Sequence, residues 1–306
     1  MNIISIIVLY NCKITDSKTI ISLQRNYKEK PEIFSNFHII IYDNGAFSQN
    51  ADLKMPFDFS YINKPDNEGL AAAYNYALGI GEKKSSEWLL LLDQDSDLPN
   101  RFIFNLLEDI KYCKSNPNVV GLVPRMITNG YVFSPSKVLP GGIHRPIDSR
   151  HFGISKSEIF AVGSCSLVNI SFLKSINGFN QLFWLDSLDR WLFMMIYCEG
   201  KNVFVSNSVV EHDLSIMDYG KSVSAKRYEN IMKYETIFMM LYKTRKDNII
   251  YYTRLIKRLI FFSIKPSHWK YFLLTFQHLI KLLFKSNNIL NSNKSIKNEC
   301  CYGDKV

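Results

Sequence analysis

The sequence lacks a hydrophobic run long enough to cross a bilayer. Its longest stretch without an acidic or basic residue is 15 residues, 159–173, and this stretch contains Gly163 and several serines. A membrane-spanning helix needs about 20 consecutive apolar residues. The apolar N-terminus, MNIISIIVLYN, also lacks a basic leader and a small-residue cleavage site. We therefore expect a first buried strand at this end of the chain and a cytoplasmic location.

Cysteines are few and scattered. The six among 306 residues show neither C-x-x-C metal spacing nor a dense framework, so we expect free thiols in a reducing compartment. With 47% apolar and 21% charged residues, the chain is long enough to bury one large core. Disorder and a disulfide-rich miniprotein are thereby excluded. The cysteines stand at positions 12, 113, 165, 198, 300 and 301.

Excess charge of one sign is absent from most of the chain. Residues 243–285 contain ten basic residues and one acidic residue, whereas the rest of the chain contains 27 of each. A basic partner surface is therefore confined to this segment. We expect no nucleic-acid partner for the main body of the protein.

The chain from residue 225 onward is predicted to form amphipathic helices interrupted by Pro266. We interpret residues 225–286 as a basic region that lies on an anionic membrane surface, and residues 287–306 as a flexible tail. Packing in a core or in the seam of a homo-oligomer is the alternative. The first helix has Lys257, Arg258 and Lys265 on one face and Tyr252, Leu255, Ile256, Leu259 and Ile260 on the other, and the second has a stripe of Trp269, Phe272, Leu273, Phe276, Ile280 and Leu283.

Short apolar runs alternate with helix-compatible segments in the first 125 residues. This alternation predicts buried strands in a mostly parallel α/β sheet, whose ligands bind at the carboxyl ends of the strands. Residues 126–157 lack periodicity and predict a long loop that shapes a site. A late strand, 202–210, follows. The earlier apolar runs cover residues 3–9, 38–42, 59–62, 88–92 and 119–124.

The strongest chemical indication is the acidic sequence at the end of the run 88–92. Asp93 and Asp95 are two residues apart there, and carboxylates at a sheet edge suit Mg²⁺ or Mn²⁺ shared with substrate phosphates. Acidic residues after a strand can instead cap a helix. We favour the metal for Asp93 and Asp95, and the helix N-cap for Asp97, which precedes Pro99.

Two further segments have both a structural and a functional interpretation. Asp43-Asn44-Gly45 is either a turn with Gly45 at positive φ or the site of a carboxylate that binds a base or ribose. The small residues between Asn67 and Asn75 either allow close packing of a helix on the sheet or let the backbone approach a phosphate.

Asp186, Asp189 and His212 are candidates that the residues alone do not decide. Asp186 and Asp189 are three apart at the start of a predicted helix, where acidic residues suit the helix dipole or supply a general base. We favour the helix dipole for Asp186, whereas a role for Asp189 as the base needs further support. A lone histidine such as His212 is more often a structural residue than a ligand.

Taken in chain order, these segments resemble the family 2 inverting glycosyltransferases over about residues 1–215. The resemblance implies a GT-A fold with a mixed, mostly parallel sheet and a C-terminal helical appendage. It assigns residues 1–224 to a catalytic domain, divided at residue 125 into a nucleotide-binding and an acceptor-binding half. The segments are Val8-Leu9-Tyr10-Asn11, Asp43-Asn44-Gly45, Asn67 to Asn75, Asp93-Gln94-Asp95, Gly163-Ser164-Cys165-Ser166, Gly178-Phe179, Asp186 to Asp189, and His212.

The same resemblance implies roles for individual residues. Asp189 would be the catalytic base, and Asp95 with His212 would bind Mg²⁺ or Mn²⁺ and the diphosphate. The implied nucleotide-sugar-binding residues are Tyr10, Asn11, Asp43, Asn67, Gly69, Asn75, Asp93 and Gln94.

Within the family, Leu-Asp-Gln-Asp-Ser and Asp-x-x-Asp look like the rhamnosyltransferase branch. This implies a dTDP-rhamnose donor, a lipid-linked glycan acceptor and a role in surface polysaccharide synthesis at the inner face of the cell membrane. The chain departs from the branch at Trp191 and Met195, where an acidic residue and an arginine are usual. Asp186 and Trp191 are therefore candidate acceptor-side positions.

Three other functions compete with this interpretation. A galactofuranosyl or other hexosyl transferase of the same family would share the motifs. A sugar-phosphate nucleotidyltransferase would need a Gly-rich basic loop after the first strand, where this chain has Tyr10-Asn11-Cys12-Lys13. A non-catalytic scaffold docked on membranes would be consistent with Trp191.

Overall fold

The computed structural model describes residues 2–49, 54–148, 150–212, 223–264 and 266–292. It divides into two compact units, one comprising residues 1–137 and 146–213 and the other residues 138–145 and 214–306. The strands are β1 (Ile3–Leu9), β2 (Phe37–Asp43), β3 (Phe59–Asn63), β4 (Trp88–Asp93), β5 (Ser96–Asp97), β6 (Val119–Thr128), β7 (Tyr131–Ser134), β8 (Ser136–Leu139), β9 (Ile143–Pro146), β10 (Gly153–Ser155), β11 (Ile159–Phe160), β12 (Leu167–Asn169) and β13 (Asn202–His212). The helices are α1 (Lys18–Glu29), α2 (Gly69–Lys83), α3 (Phe102–Cys113), α4 (Ile170–Ser175), α5 (Leu188–Cys198), α6 (Ala225–Tyr242), α7 (Arg245–Ser263) and α8 (Trp269–Ser292), with 3-10 turns at Ile14–Asp16, Pro31–Asn36, Pro140–Gly142 and Pro266–His268.

The first unit is built on a mixed, mostly parallel sheet, which confirms the predicted α/β fold. Its strand order is β10-β13-β6-β12-β4-β1-β2-β3, with β5 added to β13 and β7 added to β6. Strands β3, β2, β1 and β4 pair in parallel, as do β6 and β13. The short β12 runs antiparallel between β4 and β6. This arrangement is consistent with a GT-A fold.

The central strands are apolar because helices cover them. Every residue of β1 is buried, and so is β4 from Trp88 to Leu92. Continuous apolar runs of this kind are typical of parallel strands that are buried on both faces. None of the four cysteines in the described ranges forms a disulfide, whereas Cys300 and Cys301 lie outside these ranges.

The prediction of a long loop at residues 126–157 was wrong. Strand β6 continues to Thr128, and β7 turns back to pair with it. Short strands β8, β9 and β10 follow, and β10 pairs with β13. No strand here is longer than four residues except β6, and short strands show too little alternation to be recognised from sequence.

The prediction for Asp97 and one of the two interpretations of residues 43–45 were also wrong. Asp97 does not cap helix α3, whose N-cap is Arg101; its carboxylate instead accepts a hydrogen bond of 2.8 Å from Arg25. Gly45 does not adopt a positive φ. It lies so close to Asp43 that an added Cβ would be 2.8 Å from Asp43 Oδ1.

Gly69 opens helix α2 where no side chain fits. Its φ is +84°, and an added Cβ would lie 2.4 Å from Trp184 Nε1 and 2.6 Å from the Trp184 carbonyl oxygen. We expect Gly69→Ala to lower the free energy of unfolding by about 2–4 kcal/mol, from backbone strain and overpacking together. Urea denaturation measures this change.

Gly79 provides the matched control on the same helix. Nothing lies within 4 Å of a Cβ added at Gly79. Gly79→Ala should therefore leave stability unchanged or raise it by up to about 1 kcal/mol, as helix propensity predicts. Equal effects of the two substitutions would contradict the contact with Trp184.

The second unit contains helices α6, α7 and α8 around its own small core. Tyr228, Phe262 and Tyr271 are fully or almost fully buried and pack edge to face or tilted. The buried Glu235 accepts hydrogen bonds from Arg254 and Arg258, which offset its charge. None of the helices in the described ranges has both the length and the apolar character that crossing a bilayer requires.

The predicted apolar face of the first basic helix is divided in the structure. Leu255 is fully buried, whereas Ile256 and Ile260 are exposed, so the face predicted from Tyr252 to Ile260 does not act as one surface. Helix α7 ends before Pro266, as predicted. Helix α8 extends to Ser292, and the rest of the predicted tail lies outside the described residues.

Candidate functional site

Several predicted site residues follow three parallel strands that end at one edge of the sheet. Strand β1 pairs with β2 through Leu9 and Asp43, and with β4 through Val8 and Asp93. The segments after these strands therefore lie side by side at one edge of the sheet. The backbone N–H of Tyr10 donates to the Gln94 side chain at 2.7 Å, which joins two of these segments directly.

Asp93, Asp95 and His212 form a group that could hold a metal ion. One ligand atom from each lies within 4.8 Å of the others. Asp95 Oδ1 is 3.7 Å from His212 Nδ1. The histidine reaches this position because β13 pairs with β5, with His212 opposite Ser96.

The donor atoms of this group fit a divalent cation. Asp95 Oδ1 is buried and has no hydrogen-bond partner among the described residues. A buried polar atom without a partner is costly unless a ligand or ion satisfies it. Two carboxylates with one imidazole are suitable ligands for Mn²⁺, and carboxylates also suit Mg²⁺.

Acidic side chains are crowded around Asp93. The pKa of Asp93 is raised to about 8, first by burial and then by the charges of Asp95 and Asp189. The fully buried Tyr74 opposes this shift by donating a hydrogen bond to the Asp93 carboxylate. A cation bound at this position would offset the mutual repulsion of the carboxylates.

Asp189 lies in the first turn of α5 and interacts electrostatically with Asp93. Burial raises its pKa to about 6, and the charge of Asp186 adds to this shift. The backbone N–H of Gly163 donates a hydrogen bond to the carboxylate and opposes the shift. A Cβ at Gly163 would lie 2.5 Å from Asp189 Oδ1, so only glycine allows this contact. A carboxylate with such a pKa is suited to accept a proton near neutral pH.

A cavity of about 520 Å³ adjoins the ends of β1 and β2. Phe47, at its rim, is 86% exposed, and no sequence pattern indicated this residue. Predicted residues Asn11 and Asp43 line the cavity, and Asn11 has a φ of 51°. The lining residues are Asn11, Cys12, Lys13, Ile14, Thr15, Asp43, Gly45, Ala46, Phe47 and Gln49.

The carboxylate of Asp43 is hydrogen-bonded to other groups of the protein. It is fully buried and accepts hydrogen bonds from the Gly45 N–H at 2.8 Å, the Gln49 amide at 2.9 Å and the Tyr61 hydroxyl at 2.8 Å. These contacts hold the loop that carries Phe47. Tyr10 is more accessible than Asp43, because about half of its surface is exposed.

Three predicted residues around α2 have structural contacts. Asn67 has a φ of 51°, and Gly69 packs on Trp184. The Asn75 side chain accepts from the Phe179 N–H and donates to the Phe179 carbonyl, both at 2.8 Å. These contacts join α2 to the segment that precedes α5.

The two acceptor-side candidates occupy different environments. Asp186 lies just before α5, where its charge raises the pKa of Asp189. Trp191 is 4% exposed and belongs to the buried core, together with Met195. This burial favours a packing role for Trp191.

Comparisons with known proteins concern the family and the fold. The family model described as Glycosyl transferase family 2 matches residues 5–176. No curated protein matches the chain. Among solved structures, S. aureus TarS aligns at 15% identity and a TM-score of 0.48, covering 81% of this chain and 41% of that chain. The present chain therefore spans less than half of the length of that TarS chain.

Shorter TarS chains align similarly. TarS 1–349 in complex with UDP-GlcNAc has 15% identity and a TM-score of 0.49, covering 81% of this chain and 69% of that one. TarS 1–349 in complex with UDP has 16% identity and a TM-score of 0.48, covering 81% and 68%.

Proposed function

Because this chain belongs to glycosyl transferase family 2, we propose that it moves a sugar from a nucleoside-diphosphate donor to a hydroxyl group of a glycan. The observation that carries the proposal is the group of Asp93, Asp95 and His212 at the strand ends, with Asp189 close enough to raise the pKa of Asp93. This arrangement puts a base candidate beside ligands for a diphosphate-bound cation.

In the proposed reaction, Asp189 accepts the proton of the acceptor hydroxyl. The oxygen then attacks the anomeric carbon while the bond from that carbon to the diphosphate oxygen breaks, so the configuration inverts. Gly163 keeps the Asp189 carboxylate in place through its N–H. A Mg²⁺ or Mn²⁺ bound by Asp95 and His212, with Asp93 beside them, would neutralise charge on the departing nucleoside diphosphate.

We propose dTDP-rhamnose as the donor and a lipid-linked glycan of a surface polysaccharide as the acceptor. The Leu-Asp-Gln-Asp-Ser sequence at residues 92–96 and the spacing of Asp186 and Asp189 support this choice. The cavity beside Asn11 is large enough for part of a nucleotide, and the exposed Phe47 offers an aromatic surface for a base.

Donor hydrolysis by the purified chain tests the function. Nucleotide sugars, including dTDP-rhamnose and UDP-galactofuranose, would be incubated with Mn²⁺, and release of nucleoside diphosphate would be measured. We expect dTDP-rhamnose to be the best substrate. Preference for another donor would instead indicate a galactofuranosyl or other hexosyl transferase. Absence of hydrolysis with every donor would favour a non-catalytic scaffold.

We further propose that residues 1–224 catalyse transfer and that the helices within 225–286 lie on the inner face of the membrane. On α7 and α8, large apolar side chains are exposed with helical spacing, including Ile256, Ile260, Leu273 and Phe276. The one acidic residue of these helices, Asp247, is used in a capping box. Contact with a bilayer would bring the enzyme to a lipid-linked acceptor.

The full-length chain is expected to sediment with anionic liposomes at low salt and to be released as salt rises. Each basic residue near such a surface contributes on the order of 1 kcal/mol, and apolar contact adds to this. Ile260→Asp should weaken binding. Ile21→Asp is the control, because Ile21 is an exposed isoleucine on α1.

Self-association is the competing outcome of this experiment. The wild-type chain could fail to bind liposomes and instead form a homo-oligomer that Ile260→Asp abolishes. This result would show that the exposed apolar side chains contact a second copy of the chain rather than a membrane. Light scattering coupled to size-exclusion chromatography distinguishes the two results.

A further inference from the structure

Two buried serines connect the histidine of the metal-binding group to Asp93 at the end of strand β4. Ser96 and Ser164 are both almost completely buried, and their hydroxyl oxygens are 2.9 Å apart. Ser96 Oγ is 3.1 Å from His212 Nδ1. At the other end, the backbone N–H of Asp93 donates to Ser164 Oγ at 3.0 Å. The contacts form one chain from His212 to Asp93.

The backbone around Ser96 is itself held in place. The Thr19 hydroxyl accepts a hydrogen bond from the Ser96 N–H at 3.1 Å, and its single proton is shared between the carbonyl oxygens of Asp93 and Ser96. Pairing of β5 with β13 sets His212 opposite Ser96. The backbone of Ser96 is therefore held beside His212.

Hydrogen bonding of this kind has a direct effect on a histidine ligand. Because Ser96 Oγ contacts Nδ1, the nitrogen of His212 that would bind a metal is Nε2. A partner at one ring nitrogen restricts rotation of the imidazole and selects the tautomer that leaves the other nitrogen able to bind a metal. Buried hydroxyl groups also cost free energy when unpaired, so Ser96 and Ser164 stabilise each other's position.

We propose that Ser96 and Ser164 are positioning residues that hold His212 at a fixed separation from the carboxylates and so set the affinity of the metal site. The neighbouring Gly163 donates to Asp189, so the two-residue segment Gly163-Ser164 serves both the metal site and the base. This inference rests on the metal-binding part of the proposed function, and it is tested by metal binding rather than by transfer.

The test measures Mn²⁺ binding to the full-length protein by electron paramagnetic resonance of the free ion. Ser96→Ala and Ser164→Ala should weaken Mn²⁺ binding by roughly 10–100-fold, the usual effect of removing a hydrogen-bond partner of a metal ligand. Ser96→Cys fills the same space but has a weaker hydrogen-bonding group, so it should lose affinity while remaining folded.

Ser166→Ala is the matched control. Ser166 is equally buried in the same segment, but its hydroxyl donates to the Val162 carbonyl at 2.8 Å. Its removal should lower thermal stability by a similar amount and leave Mn²⁺ affinity unchanged. A merely structural role for Ser96 and Ser164 would make all three alanine variants alike.

The outcomes separate the inference from the function. Unchanged Mn²⁺ affinity in folded Ser96→Cys and Ser164→Ala would overturn the inference. Failure of the wild-type chain to bind Mn²⁺ would overturn both the metal site and the inference. If wild type binds Mn²⁺ and the variants bind it weakly, but no nucleotide sugar is hydrolysed, the inference holds and the proposed transfer fails.

Discussion

Asp189→Asn is expected to lower the rate of glycosyl transfer by roughly 10²–10⁴-fold, the usual contribution of a positioned general base. Asparagine has nearly the same shape and can still accept the Gly163 N–H, but it cannot take a proton from the acceptor. Donor affinity should therefore change little. Initial rates at saturating donor, together with donor binding by calorimetry, measure the two quantities separately.

Asp186→Asn is the matched control for this substitution. It removes a neighbouring carboxylate whose charge raises the pKa of Asp189. Transfer should persist in Asp186→Asn, and its pH dependence should shift to lower pH. Full activity in Asp189→Asn, with loss of activity in Asp186→Asn, would assign the base to Asp186.

The pH dependence of the wild-type enzyme follows from the same carboxylate. The pKa of Asp189 is raised from the ordinary 3.8 to about 6, chiefly by burial. Below about pH 6 the base is protonated, so kcat/KM should fall about tenfold per pH unit there and reach a plateau above. An ordinary aspartate would keep its activity down to about pH 4.

The stability of the protein should change with pH in the opposite direction to its activity. Between pH 3.8 and about 6 the native protein binds the Asp189 proton more strongly than the unfolded chain does. The contribution of Asp189 to stability therefore decreases as pH rises through this interval. The melting temperature of Asp189→Asn relative to wild type should rise between pH 4 and pH 7.

Removal of divalent metal is expected to abolish transfer, and Asp95→Ala should reduce it by at least about 10³-fold even with Mn²⁺ present. A bound cation contributes several kcal/mol to stabilising the charge of the leaving group, and about 1.4 kcal/mol corresponds to a factor of ten. Asp95→Ala leaves no cavity in the core, so the variant should fold. Activity in EDTA and after addition of excess Mn²⁺ is the measurement.

Asp97→Ala controls for charge removal in the same segment. Asp97 forms an exposed ion pair with Arg25, and such pairs contribute little to stability. Its removal should leave transfer and metal dependence intact. Full turnover of the wild type in EDTA would contradict a catalytic metal.

The parts of this site that could be predicted from sequence are local. Asp93 and Asp95 follow an apolar strand directly, so their position at a sheet edge needs no knowledge of distant residues. Ser96 and Ser164 were not recognised because serine is common in loops, and burial of their hydroxyls depends on strands more than 60 residues apart in sequence. Trp191 is the opposite case, a residue that the sequence did indicate. Its position on a predicted helix does not tell whether its side chain lines the site or packs in the core.

Helix faces were predicted less well than strand ends for a similar reason. A 3.6-residue period places Leu255 and Ile256 on one broad apolar arc, but a helix packed against two neighbours buries only part of that arc. The neighbours, α6 and α8, are known only once the unit has folded. In the same way, the hairpin of β6 and β7 depends on pairing rather than on alternation within one short strand.

The pairing of β13 with β5 has a consequence for the order of folding. The contact between Ser96 and His212 spans 116 residues of chain, and closing so large a loop is entropically costly until the intervening strands have assembled. We therefore expect the histidine to join the carboxylates among the last steps of folding, so that a divalent ion does not act as an early nucleus. Its binding energy instead adds to the stability of the completed native state, so the midpoint of thermal unfolding should rise with the logarithm of ion concentration.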